Sequence, residues 1–230
     1  MEFIILLIIV VIMYLILRFI FDFNMKKIKE LGDNKELDEL TQKYPENIEI
    51  CKCYLKKLKN ENVKIEEDKN SNATLYLVMS NKIFIANLKD SYTRIQTIAH
   101  ECLHSVQSKK LLWFNFIFSN IYLVYFIAIC ILGVLNLLPV KMALMAIFIL
   151  FSLVYYAVRT YLENDAMIKA RFLAKEYMQE KAISTQEEID KIIAQYDCLN
   201  DIGIKCTNFK FLSNILLKVI ILIVIFGYWM

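Results

Sequence analysis

Histidine is scarce in this chain: 230 residues contain two, His100 and His104. Any site built on three imidazoles is thereby excluded. Net charge is also small, since 27 basic against 24 acidic residues leave +3, and no broad basic surface for nucleic acid follows from it. The six cysteines have no framework spacing, and a chain this long and apolar is not a disulfide-stapled miniprotein, so they are expected as reduced thiols. Cys51-x-Cys53 lacks the two-residue hook usual in metal sites. The N-terminus also lacks the basic start and small residues of a cleavable signal peptide. It opens Met1-Glu2, and its apolar run ends in bulky side chains, so the segment is expected to stay as an anchor.

What the chain has in excess is apolar surface. Hydrophobic residues make up 58% and mean hydropathy is +0.45, against about 45–50% apolar in soluble domains. The sequence predicts an α-helical membrane protein of four transmembrane helices with a small α+β domain. Residues 1–23 read as an N-terminal anchor, because the run over 3–21 can cross a hydrocarbon core of about 30 Å at about 1.5 Å per residue. Residues 111–158 read as a transmembrane hairpin turning at Leu138-Pro139-Val140-Lys141, and 211–230 as a last span. That last span requires Lys218 to lie within the helix or to snorkel to its near end. Between them, 24–110 and 159–210 read as aqueous segments. Lys26, Lys27, Lys29, Lys109, Lys110, Arg159 and Lys210 flank the spans on one side and Lys141 alone on the other. The positive-inside rule then puts both aqueous segments in the cytoplasm and both termini outside.

Residues 24–58 read as helical pieces broken at Pro45, with a possible short strand near 63–65. Residues 74–79 and 82–88 are rich in aromatic and β-branched side chains and flank Ser80-Asn81, a hairpin signal. Lys89-Asp90-Ser91 offers caps for a helix running from about Tyr92 to Gln107 and on toward the second span. Ser184 to Glu187 resembles a capping box before a supporting helix that ends near Tyr196.

Both histidines fall in TIAHECLHSVQ, residues 97–107, as His-Glu-x-x-His. Random placement gives that spacing with that glutamate in roughly one arrangement in two thousand, so chance is a poor account of it. On a helix, positions i and i+4 share a face, and both imidazoles can meet one Zn2+. Glu101 then stands beside the metal, able to take a proton from water at an open coordination position. Cys102 points away and is expected to pack. With no histidine left, a carboxylate is the expected third ligand. The hairpin returns the chain to the same membrane face at Arg159, where Glu163 follows at a depth close to that of the histidines. Asp165 is the runner-up, as an alternative ligand or a supporting group. Tyr161, Arg171 and Tyr177 are candidate donors to an oxyanion.

HECLHSVQ, two membrane helices, then ENDA with Ala170 four residues after Ala166, resembles the YugP-type bacterial membrane zinc metallopeptidases, whose pattern is HEVGHAIQ followed by E-F-D-A. It is more distantly similar to the HtpX and CAAX-protease group, which places a ligand glutamate in E-x-x-A-D after a membrane hairpin. Leu103 stands where the first pattern has glycine, and Met167 where the second has aspartate. The resemblance implies one Zn2+ per chain on His100, His104 and Glu163, with Glu101 as general base. It also implies a gluzincin-like cytoplasmic domain in a bacterial cell membrane.

The function expected is that of a zinc-dependent endopeptidase at the cytoplasmic membrane surface, acting on protein or peptide substrates, membrane proteins above all, with the lipid bilayer as its surroundings and no nucleic acid. SYTRIQT before the motif and SVQSKK after it are too polar for an intramembrane site. The strand KIFIANL is expected as an edge on which an extended substrate could pair. The competing class is a membrane scaffold or sensor that keeps a zinc site without turnover.

Overall fold

The computed structural model describes residues 2–21, 25–68, 71, 73–88 and 90–228. Lys89 and the last two residues, which belong to the expected cap and last span, lie outside them, as do 22–24 at the end of the expected anchor. The helices are α1 (Glu2–Ile20), α2 (Met25–Gly32), α3 (Lys35–Gln42), α4 (Asn47–Lys57), α5 (Arg94–Val106), α6 (Lys109–Val134), α7 (Lys141–Lys181) and α8 (Gln186–Tyr228); the strands are β1 (Lys64–Asp68), β2 (Leu75–Leu77) and β3 (Lys82–Ala86). The chain divides into an apolar unit, Met1–Phe23, Trp113–Tyr161 and Lys205–Met230, and a polar-surfaced unit, Asn24–Leu112 and Leu162–Ile204.

In the apolar unit, α6, α7 and α8 are long and apolar enough to cross a membrane, while the apolar part of α1, Ile4–Ile20, is shorter. The most apolar windows of α6 and α7 are each only 17% buried. Helices this apolar whose side chains stay on the outside suit hydrocarbon as a solvent. Their common core holds Tyr122, Phe148, Leu222 and Phe226, with the Tyr122 ring stacked on those of Phe148 and Tyr155. Gly133 lets α6 and α8 approach closely, since a Cβ there would lie 2.8 Å from Ile225 Cγ2.

The polar-surfaced unit is α+β. Its three strands run in the order β1-β3-β2. β2 and β3 form the expected hairpin, with Tyr76 opposite Ile83, and Asn81 at φ 47 supplies the left-handed turn residue. β1 adds to the far side of β3 in parallel, Ile65 level with Ile83. β3 is therefore central, and the expectation that KIFIANL forms an exposed edge is corrected: β1 takes that edge, and the free edge of the hairpin is β2. Both Ile83 and Ile85 are wholly buried, as a central strand over a core requires.

Arg94, the first residue of α5, is buried and orders the loop before α4. It donates to the carbonyls of Thr41, Tyr44 and Pro45 and to Asn47 Oδ1 at 2.8–2.9 Å. A planar guanidinium is the one side chain that reaches several fixed acceptors at once. Asp38 accepts from the Tyr92 backbone N–H at 2.7 Å, tying α3 to the start of α5. The α5 N-cap is Thr93, which makes no side-chain cap bond; Ser91 Oγ instead accepts from Thr93 N at 3.3 Å.

Two helices are longer than expected. α7 is continuous from Lys141 to Lys181 and α8 from Gln186 to Tyr228, so no break separates the apolar runs from the segments adjoining them. The capping box is shifted by one residue from the expected pair: Thr185 Oγ1 accepts from Glu188 N, and Glu188 Oε2 from Thr185 N.

Candidate metal centre

α5 carries the motif on a helix whose other faces are in the core. Ile95, Ile98, Ala99 and Cys102 are fully buried, and Leu103 nearly so. Burying isoleucine or leucine side chains stabilises by about 1.5–3 kcal/mol each, enough to hold the rotation of the helix. Cys102 packs 3.5 Å from Cys51 Sγ, and all six cysteines are free thiols. Leu103 occupies core volume that a glycine would leave empty.

The rotation so fixed leaves His100 and His104 half-buried with their Nε2 atoms 3.0 Å apart. Glu163 Oε2 lies 3.6 Å from each. It comes from α7, whose Ala166, Ala170 and Ala174 are wholly buried in the same core. Small side chains at those positions allow the close approach that delivers Glu163. Among the described residues, these three form a group that could hold a metal ion, with all three donor atoms within 4.8 Å of one another. The triangle has a base of 3.0 Å and two sides of 3.6 Å. A point near its centre is about 2.0 Å from every corner, which is the bond length zinc makes to imidazole nitrogen and carboxylate oxygen. Two imidazoles and one carboxylate are also a donor set that zinc accepts.

The tautomer of His104 is set by a residue that the sequence did not single out. Gln107 Oε1 lies 2.9 Å from His104 Nδ1. The Gln107 amide nitrogen donates to Leu162 O at 2.8 Å and to Asp165 Oδ2 at 3.0 Å, so the oxygen is the atom left for histidine. His104 Nδ1 must then carry the proton, which leaves the Nε2 lone pair aimed at the centre. Asp165 is thus placed two bonds out from the metal point: it fixes Gln107 and pairs with Lys169. Burial alone would raise its pKa, but Lys169 and Gln107 outweigh burial and hold it below the usual aspartate range. Gln107 can turn this way because α5 stops there: its ψ of 163° is extended, and α6 begins only at Lys109. The expected uninterrupted run into the second span is corrected accordingly.

Glu101 is 8% exposed, with Oε1 3.9 Å from His100 Nε2. Its other oxygen accepts from the backbone N–H of Tyr76 at 2.6 Å. Burial pushes its carboxyl above the usual range, partly offset by the two histidines and that N–H. For His104, burial works downward and is outweighed by Glu163, Glu101 and Gln107, so its pKa is raised. Because the N–H of Tyr76 reaches Glu101 and not β3, and a strand residue sends N–H and C=O to the same side, the free edge of β2 faces the general-base candidate.

Of the three oxyanion candidates, Arg171 and Tyr177 are not brought to the centre. Tyr177 is 14 residues beyond Glu163 on one helix, about 21 Å along its axis, and packs against the rings of Tyr44 and Tyr54. Arg171, about 12 Å along, pairs with Asp197 at 3.4 Å. Tyr161 belongs to the apolar unit, is 62% exposed, and leaves α7 about 200° round from Glu163.

Comparison with protein-family models, with curated proteins and with solved structures finds no match.

Proposed function

We propose that the chain is a membrane-bound zinc-dependent endopeptidase with a gluzincin-like domain. The observation that carries this reading is the pairing of a compact His100, His104 and Glu163 triangle with an adjoining buried carboxylate, Glu101. Bound there, zinc supplies the Lewis acidity that activates water and polarises a peptide carbonyl. Glu101 takes the proton from the attacking water and returns it to the leaving amine, a role helped by a carboxyl pKa raised through burial. Gln107 and Asp165 hold His104 in the tautomer that a metal needs. An extended substrate adds as a strand to the free edge of β2, alongside Tyr76. The bilayer context is read from three helices long and apolar enough to cross it; the lysines and arginines flanking the apolar runs support a cytoplasmic site, and placing both termini outside further requires the shorter α1 to cross as a fourth span. Substrates on this reading are membrane proteins or segments that reach that surface. The YugP-type resemblance points the same way.

The test is a comparison of wild type with Glu101→Gln: zinc content, and cleavage of an unfolded or membrane-derived protein. The proposal expects zinc in both and cleavage in the wild type alone, the variant losing at least about a hundredfold. Zinc in both with no turnover by the wild type across a broad substrate panel would instead support a scaffold or sensor.

A further inference from the structure

Lys218 lies well inside α8, 13 residues past Lys205, where the helix enters the apolar unit. Its ammonium does not reach back toward that end. It sits over the ring of Tyr122, 4.4 Å from the centroid, and 5.5 Å from that of Phe126. Tyr122 is at the middle of the 26 residues of α6, about 18–20 Å from either end. The charge is therefore at mid-span, and of the two sequence expectations for Lys218 the structure gives the one inside the helix. The ring faces attract the ammonium but neutralise nothing. The hydroxyl of Tyr122 is engaged by Ser152 Oγ at 3.1 Å. Among the described residues, the ammonium has neither a carboxylate nor a hydrogen-bond acceptor in reach.

Nor can the apolar unit supply a counter-ion. Its only acidic residues are Glu2 and Asp22, which fall at the two ends of the first segment; 113–161 and 205–230 contain none. A second copy of the chain would bring the same acid-free spans. Lipid phosphates lie outside a hydrocarbon core about 30 Å thick, beyond a group held at its middle. Ionisable side chains at such depth pair with a partner or mark a substrate path. Beside Lys218, α8 leaves Asn214, Leu217, Ile221 and Val224 exposed, a stripe open to another helix.

We propose that Lys218 is a recognition point for a membrane-spanning helix of another protein that carries an aspartate or glutamate at mid-span, docking along the Leu217, Ile221 and Val224 stripe. If the chain is a peptidase, that helix belongs to its substrate; this step rests on the reading above, whereas the association does not.

The experiment measures association in lipid nanodiscs by energy transfer, between the labelled full-length protein and a labelled transmembrane peptide of leucine and alanine with one central glutamate. The expected result is binding at least tenfold tighter than for the same peptide with glutamine, lost in Lys218→Met and kept in Lys218→Arg. Lys218→Glu should in turn prefer a peptide with central lysine, a reversal that a merely misfolded variant cannot produce. Equal binding of the glutamate and glutamine peptides by the wild type overturns the proposal. So does a Lys218-dependent preference for spin-labelled anionic lipid with no peptide discrimination. Zinc content, measured on the same samples, separates a failure here from a failure of the metal centre.

Discussion

Gln107 Oε1 lies 2.9 Å from His104 Nδ1, and its amide nitrogen is held by Leu162 O and Asp165. A glutamine in this place orients the His104 imidazole without adding a charge, and Asp165 reaches that ring only through it. Removing such an outer partner commonly weakens a metal site by about 10–100-fold. Gln107→Ala should weaken zinc by that much in a chelator competition, and Gln107→Glu should not restore it, because its second carboxylate oxygen would face Leu162 O and Asp165 with no proton to donate. The d–d spectrum of the cobalt-substituted protein should shift in both variants. An unchanged affinity and spectrum for Gln107→Ala would remove the residue from the account.

Glu163 and Asp165 are two residues apart but have different partners. Glu163 Oε2 is 3.6 Å from both Nε2 atoms, whereas Asp165 reaches Gln107 and Lys169. Zinc titration of Glu163→Ala should show binding weakened by more than a thousandfold, and that of Asp165→Asn a loss of tenfold or less. The reverse ranking would exchange the two roles.

Much of this centre was legible in the sequence because its first half is local. His100 and His104 need only a helix to share a face, and Glu163 followed from the hairpin that returns the chain. Gln107 was missed although it lies three residues after His104: a helix was expected to run through it, and its use depends on the break before Lys109. The parallel pairing of β1 with β3 joins residues 18 apart; a short strand near 63–65 is legible, but KIEED has too little apolar alternation to show where it pairs. KIFIANL read by its hairpin alone is therefore an edge. The lengths of α7 and α8 were under-read, although residues 141–181 contain neither glycine nor proline to stop a helix. Arg171 and Tyr177 failed for a simple geometric reason: they lie about two and four helical turns along α7 from Glu163.

The edge of β2 can be tested through its backbone. The N–H of Tyr76 serves Glu101 and is outside the strand ladder, so proline at an edge position should be tolerated. Tyr76→Pro should keep the circular dichroism spectrum and bound zinc of the wild type but lower peptide cleavage by tenfold or more. Wild-type cleavage by a folded Tyr76→Pro protein would show that neither the N–H nor the strand edge matters to turnover.

Arg94 is the main polar fixture of the loop before α4, satisfying four oxygens. Arg94→Ala would leave three backbone carbonyls and Asn47 without their donor in a buried setting. The expected cost is about 3–5 kcal/mol, seen as a large drop in unfolding temperature. Arg94→Lys should recover little, because one ammonium cannot span the four acceptors.

The central claim is that His100, His104 and Glu163 hold one zinc ion, and X-ray absorption at the zinc edge of the purified protein tests it most directly. The account predicts one zinc per chain with only nitrogen and oxygen neighbours at about 2.0–2.1 Å and two imidazoles in the outer scattering. A protein that binds no zinc, or zinc with sulfur at about 2.3 Å from cysteine, would contradict it.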